Sequence, residues 1–92
     1  MPTTHLIIKG KVQGVFYRAT AKEIAEKCGV TGWIKNTLDG NVEATITGTE
    51  EQLDQFANWC KKGPARAKVT EVVSSSIAET IFNDFTVIRS DS

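Results

Sequence analysis

The residues Gly10-Lys11-Val12-Gln13-Gly14-Val15-Phe16-Tyr17-Arg18 decide how this chain is read. Apolar Leu6, Ile7 and Ile8 run into them. Ala21, Ile24, Ala25 and Cys28 follow at the spacing of a helix face. The stretch is therefore a loop that joins a strand to a helix N-terminus. It contains glycine and ends in an arginine. Backbone N–H groups, the helix N-terminus and a guanidinium can converge there on one point, which is what a phosphate site requires.

Working outward, the pattern predicts a first strand over about His5 to Val12, with Leu6, Ile8 and Val12 on one face, and a first helix over about Arg18 to Cys28. Lys27 lies in its last turn, and Gly29 can supply a left-handed C-terminal cap. Two strands are expected at about Thr31 to Asn36 and Asn41 to Thr47. The loop Thr37-Leu38-Asp39-Gly40 between them carries an Asp-Gly turn signal. In the second of these strands Val42, Ala44 and Ile46 are expected to face the core, and Glu43, Thr45 and Thr47 to face water.

Thr49-Glu50-Glu51-Gln52 reads as a capping box that starts a second helix, with Leu53, Phe56, Ala57 and Cys60 as its apolar stripe and Gly63-Pro64 as its stop. A strand over about Lys68 to Ser75 and a short one at Phe85 to Arg89 complete the pattern. Two right-handed βαβ halves assemble into an antiparallel sheet with two antiparallel helices on one face. This is the α+β, ferredoxin-like split-βαβ architecture, and the 92 residues make a single domain, 1–92.

Eleven basic and eleven acidic side chains cancel. A nucleic-acid binder of this size usually carries a basic excess, so bulk attraction to a phosphate backbone is unsupported. A small anion held by a local cluster is compatible with zero net charge. No apolar run reaches transmembrane length and no signal-peptide pattern is present, which makes a cytoplasmic location the default expectation. The two cysteines, Cys28 and Cys60, fall on apolar helix faces. They read as buried free thiols at opposite ends of the helix layer rather than as a disulfide. Two cysteines and one histidine, far apart, match no metal-ligand spacing.

The loop has two readings, a tight turn with a surface arginine or an anion cradle, and its shape alone does not choose. Gly14 allows positive φ and close approach of a ligand. Residues 14 to 18 can then turn successive N–H groups inward. The planar fork of Arg18 matches phosphate oxygens. No cysteine nucleophile lies between residues 10 and 18. His5, the single histidine, lies on the first strand and reads as a satisfied or solvent-facing side chain. No carboxylate pair or His/Cys cluster suggests metal-assisted hydrolysis. A phosphate substrate would then need a leaving group that departs unprotonated. A carboxylate is such a group, which points to mixed anhydrides of carboxylic and phosphoric acids.

A second constellation, Gly32-Trp33-Ile34-Lys35-Asn36 followed by Gly40, Val42 and Gly48, ends a strand with an amide. Asn36 can be a turn residue that satisfies its own backbone. Alternatively, its acceptor and two donors can hold a water against a phosphoryl oxygen. Trp33 either packs in the core or covers the sheet.

Gly10-x-Val12-Gln13-Gly14-Val15-x-Tyr17-Arg18 resembles the first signature of the acylphosphatase family, and Gly32-Trp33-Ile34-Lys35-Asn36-x-x-x-Gly40-x-Val42 with Gly48 resembles the second. Tyr17 stands where the family commonly has phenylalanine, and Ile34 where a smaller apolar residue is usual. The resemblance implies hydrolysis of acyl phosphates to a carboxylate and inorganic phosphate, without metal or cofactor. It implies Arg18 and Asn36 as catalytic residues, Arg18 on the phosphate and Asn36 on the attacking water. Gln13, Gly14, Val15, Phe16, Tyr17 and Arg18 form the implied substrate-binding loop. The expected partner is a small acyl phosphate, with no nucleic acid and no membrane, acting on a monomer. The competing assignment is an RNA-recognition domain of the same element order. It requires exposed stacking aromatics on the central strands, and the first and third strands carry none.

Overall fold

The structure, a computed structural model, describes residues 1–89. The elements run β1 (Thr3–Lys11), α1 (Tyr17–Cys28), β2 (Thr31–Asn36), β3 (Val42–Thr47), α2 (Glu50–Lys62), β4 (Lys68–Ile77) and β5 (Phe85–Ile88). The sheet order is β4-β1-β3-β2-β5. The four core strands pair antiparallel as the ferredoxin-like pattern requires. β5 pairs parallel with β2, Lys35 opposite Ile88, so the complete sheet is mixed. Among the described residues, no helix is long and apolar enough to cross a membrane.

One face of the sheet buries Leu6, Ile8, Ile34, Val42, Ala44 and Ile46 under the two helices. Ala21 and Ala25 from α1, and Leu53, Phe56 and Cys60 from α2, complete that core. Tyr17 at the start of α1 reaches the carbonyl of Cys60 near the end of α2, so the helices run antiparallel. Both cysteines are free; Cys60 is buried and Cys28 is half-buried.

The expectation that Thr45 and Thr47 face water is corrected by the structure: they are 5 % and 6 % exposed. β3 is the middle strand of five, so its open face is flanked on both sides. Thr45 lies between His5 and Trp33. The hydroxyl of Thr47 shares a 2.7 Å hydrogen bond with that of Thr3 and donates to the Thr80 carbonyl at 2.7 Å, which ties the β4–β5 connection across this end of the sheet. The Thr47 hydroxyl is buried here because it has partners. His5 contacts Glu43 at 2.6 Å on the same open face. Trp33 is half-buried there, with the Lys35 ammonium 5.4 Å from its ring centroid, so it covers the sheet rather than entering the core.

Gly32 illustrates how tightly β2 is held. Its φ is 139°, and a Cβ there would come within 1.9 Å of the Thr45 carbonyl oxygen. Only glycine admits this approach, and it fixes the strand that ends in Asn36.

Candidate active site

The two helices begin in different ways. α2 has the capping box foreseen in the sequence, Thr49 accepting from the Gln52 N–H and the Gln52 side chain accepting from the Thr49 N–H, with Glu50 and Glu51 in the first turn. α1 has neither device: its N-cap is Phe16, no side chain caps it, and no acid occupies its first turn. The first N–H groups of a helix lack intrahelical partners, and its N-terminus carries partial positive charge. At α1 that charge opens into a cleft of about 830 Å³ with Arg18 on its wall.

The helix begins one residue earlier than the apolar spacing suggested, at Tyr17. Gly14 has φ 72° and Phe16 has φ 63°, so left-handed residues alternate with others through the loop. Such alternation turns successive N–H groups to one side as an anion nest.

Arg18 and Asn36 line the same cleft. Arg18 is half-buried and donates to the Ile88 carbonyl at 3.3 Å, so β5 braces the guanidinium. Asn36 closes β2. Its Oδ1 is the one buried side-chain N or O atom, among the described residues, that has no hydrogen-bond partner. An orphaned buried acceptor costs about 1–3 kcal/mol, so its retention calls for a ligand or water donor.

Gly14, Phe16 and Tyr17 also line the cleft, whereas Gln13 and Val15 do not. The Gln13 side chain donates to the carbonyls of Thr37 and Asn41, each at 2.8 Å, and thereby ties the loop to the hairpin. Val15 is buried in the core. The Tyr17 side chain is 2 % exposed, and its hydroxyl donates to the Cys60 carbonyl at 2.7 Å. Burial raises its pKa well above the usual phenol range, and the neighbouring Cys60 adds to the effect. A phenolate is therefore absent at neutral pH, and the hydroxyl is committed to the fold.

Sequence reasoning missed the second wall. Asp84, Thr86, Val87 and Arg89 line the cleft from the β5 side, and Lys22 lines it from α1. Lys22 stands one helical turn beyond Arg18, a spacing that places two side chains on one face and was readable in advance. The β5 residues carried no such signal, because a four-residue strand does not reveal which neighbour it joins.

Comparison with known proteins places the family and the fold. The acylphosphatase family model matches residues 4–87. An acylphosphatase of Bordetella parapertussis is 50% identical over 74 residues, covering 80% of this chain and 79% of the relative. An acylphosphatase of Methylococcus capsulatus is 41% identical over 90 residues, covering 97% of this chain and 98% of the relative. The crystal structure of acylphosphatase from Bacillus subtilis superposes with a TM-score of 0.92 at 31% identity, covering 96% of this chain and 99% of that one. The family model spans most of the chain, and the fold superposes on a solved member, so the chain belongs to the acylphosphatase family.

Proposed function

We propose that the chain performs its family's reaction, hydrolysis of an acyl phosphate to a carboxylate and inorganic phosphate, by direct attack of a water held at Asn36. The observation that carries this reading is Asn36, whose buried Oδ1 has no partner, on the wall of the cleft that Arg18 also lines. In this reading Oδ1 accepts a hydrogen bond from the attacking water and turns the water's lone pair toward phosphorus. The Asn36 amide N–H donates to a phosphoryl oxygen.

Arg18 binds two phosphoryl oxygens, and backbone N–H groups from Gln13 to Arg18 surround the third. The water oxygen bonds to phosphorus as the bond to the acyl oxygen breaks in line, and the carboxylate leaves with the electron pair. The water's proton passes to a phosphate oxygen of the substrate. Catalysis arises from positioning and from donors already aimed at the equatorial charge of the transition state.

Both walls of the cleft come from one chain, which supports action as a monomer. The two free thiols support a cytoplasmic setting. The test is hydrolysis of benzoyl phosphate by the purified protein with a chelator present, beside Arg18→Ala and Asn36→Ala. A parent enzyme without turnover, or an Arg18→Ala variant with near-parental kcat/KM, would refute the assignment.

A further inference from the structure

Phe16 is the one residue other than glycine with positive φ among the described residues, and its side chain is 74 % exposed. A bulky residue in the left-handed region carries backbone strain, and an exposed aromatic ring gains nothing from burial. Both costs fall on a residue that lines the cleft beside Arg18. The cleft, about 830 Å³, is in the size range of pockets that hold whole small molecules. A phosphate held by the loop leaves much of that space to the rest of the substrate.

The proposed reaction, on which this inference rests, fixes where the rest of the substrate lies. In-line displacement puts the leaving group on the side of phosphorus away from the attacking water. The water is held at Asn36 on the β2 wall, so the acyl group extends along the wall made by the loop and α1. Phe16 and Ala19 are its exposed apolar members.

We infer that the Phe16 ring is the platform for the acyl half of the substrate, and that the enzyme favours acyl phosphates whose acyl group is aromatic or a long alkyl chain. Leu38, 88 % exposed, is the contrasting apolar residue: it borders a separate hollow on the hairpin side of Asn36, where the in-line geometry leaves no room for the leaving group.

The test is the ratio of kcat/KM for benzoyl phosphate to that for acetyl phosphate, each referred to its own hydrolysis rate in buffer. Phe16→Asn and Phe16→Gly both accept positive φ and so keep the loop. The parent ratio is expected to fall by about tenfold in both, the scale of one lost aromatic contact. Phe16→Tyr retains the ring and should retain the ratio. Leu38→Ser should leave both the ratio and acetyl phosphate turnover unchanged. An undiminished ratio in both ring-less variants, or a collapse in Leu38→Ser, would overturn the inference while leaving the reaction standing. A parent that hydrolyses neither compound would overturn the reaction itself.

Discussion

The Gln13 side-chain amide donates to the Asn41 carbonyl at 2.8 Å, and its second hydrogen reaches the Thr37 carbonyl at the same distance. One amide thus holds the loop before α1 against the hairpin that follows Asn36. The hairpin is closed on itself by the Thr37 N–H to the Asn41 carbonyl at 2.9 Å and by the Asn41 N–H to the Thr37 hydroxyl at 3.0 Å. Arg18 and Asn36, on different elements, are kept in register through this strap. The Gln13 side chain is engaged with the hairpin, so its role is mechanical.

Gln13→Ala removes both bonds. Unfolding in urea should show a loss of about 1–2 kcal/mol, the net worth of two hydrogen bonds to partly buried carbonyls. Turnover should fall further than stability suggests, by roughly 10- to 100-fold in kcat, because a small displacement of Asn36 spoils the attack geometry. Inorganic phosphate should still bind, since Arg18 and the nest remain. Parental kcat in this variant would show that the strap is dispensable.

Much of this arrangement was legible in the sequence, and what was not has physical reasons. The alternation in β3 and the helical spacing in α1 and α2 report one buried face each, so the core and the element order follow from them. The burial of Thr45 and Thr47 does not, because alternation records chemistry and not which strand becomes central; the Thr47 hydroxyl suits a buried face once Thr3 and Thr80 offer partners. Arg18 and Asn36 were visible as loop and strand ends. Their bracing by Ile88 and Gln13 depends on long-range placement that no local pattern encodes. The resemblance assigns Gln13 and Val15 to the loop through its backbone N–H groups; where their side chains go, one onto the hairpin and the other into the core, carries no local signal.

Asn36→Ala and Arg18→Ala should separate two roles. If Asn36 acts on the water as proposed, its loss should lower kcat by about 10²-fold or more with KM little changed. Loss of Arg18 removes phosphate binding and charge stabilisation together, so kcat/KM should fall below detection and inhibition by inorganic phosphate should weaken. Asn36→Ala also deletes the orphaned Oδ1, so its thermal stability should equal or exceed that of the parent. A raised KM at constant kcat in Asn36→Ala would reassign it to binding.

Tyr17 is the chain's single tyrosine, which gives its ionisation an unobscured absorbance signal. Burial, reinforced by Cys60, raises its pKa above the ordinary value of 10.0. Below that value both folded and unfolded states hold the proton, and the stabilisation is fully present. Above it the unfolded chain releases the proton while the folded one keeps it, so stability falls as pH rises. Alkaline titration should therefore show phenolate appearing only together with unfolding. Tyr17→Phe should remove this coupling and cost about 1 kcal/mol through the lost bond to the Cys60 carbonyl. A simple titration of the native protein near the ordinary value would contradict the buried placement.

Two glycines offer a contrast between space and backbone conformation. At Gly32 a methyl group meets the Thr45 carbonyl oxygen at 1.9 Å, and φ is 139°. Gly32→Ala must therefore push β2 away from β3, with a loss of about 3 kcal/mol or more and, with it, the position of Asn36. At Gly14 no atom lies within 4 Å of the added carbon, and the only penalty to the empty protein is φ 72°. Gly14→Ala should then cost about 1–2 kcal/mol, the price of a left-handed residue with a side chain. Its methyl group nevertheless borders the cleft in which the proposed mechanism holds phosphate, so phosphate affinity and kcat/KM should both drop. Urea unfolding and calorimetric phosphate titration on the two variants check this. The expected pattern is severe destabilisation at Gly32 against mild destabilisation with impaired binding at Gly14. Equal destabilisation at the two positions would show that backbone conformation, and not the close approach of β3, sets the requirement for glycine.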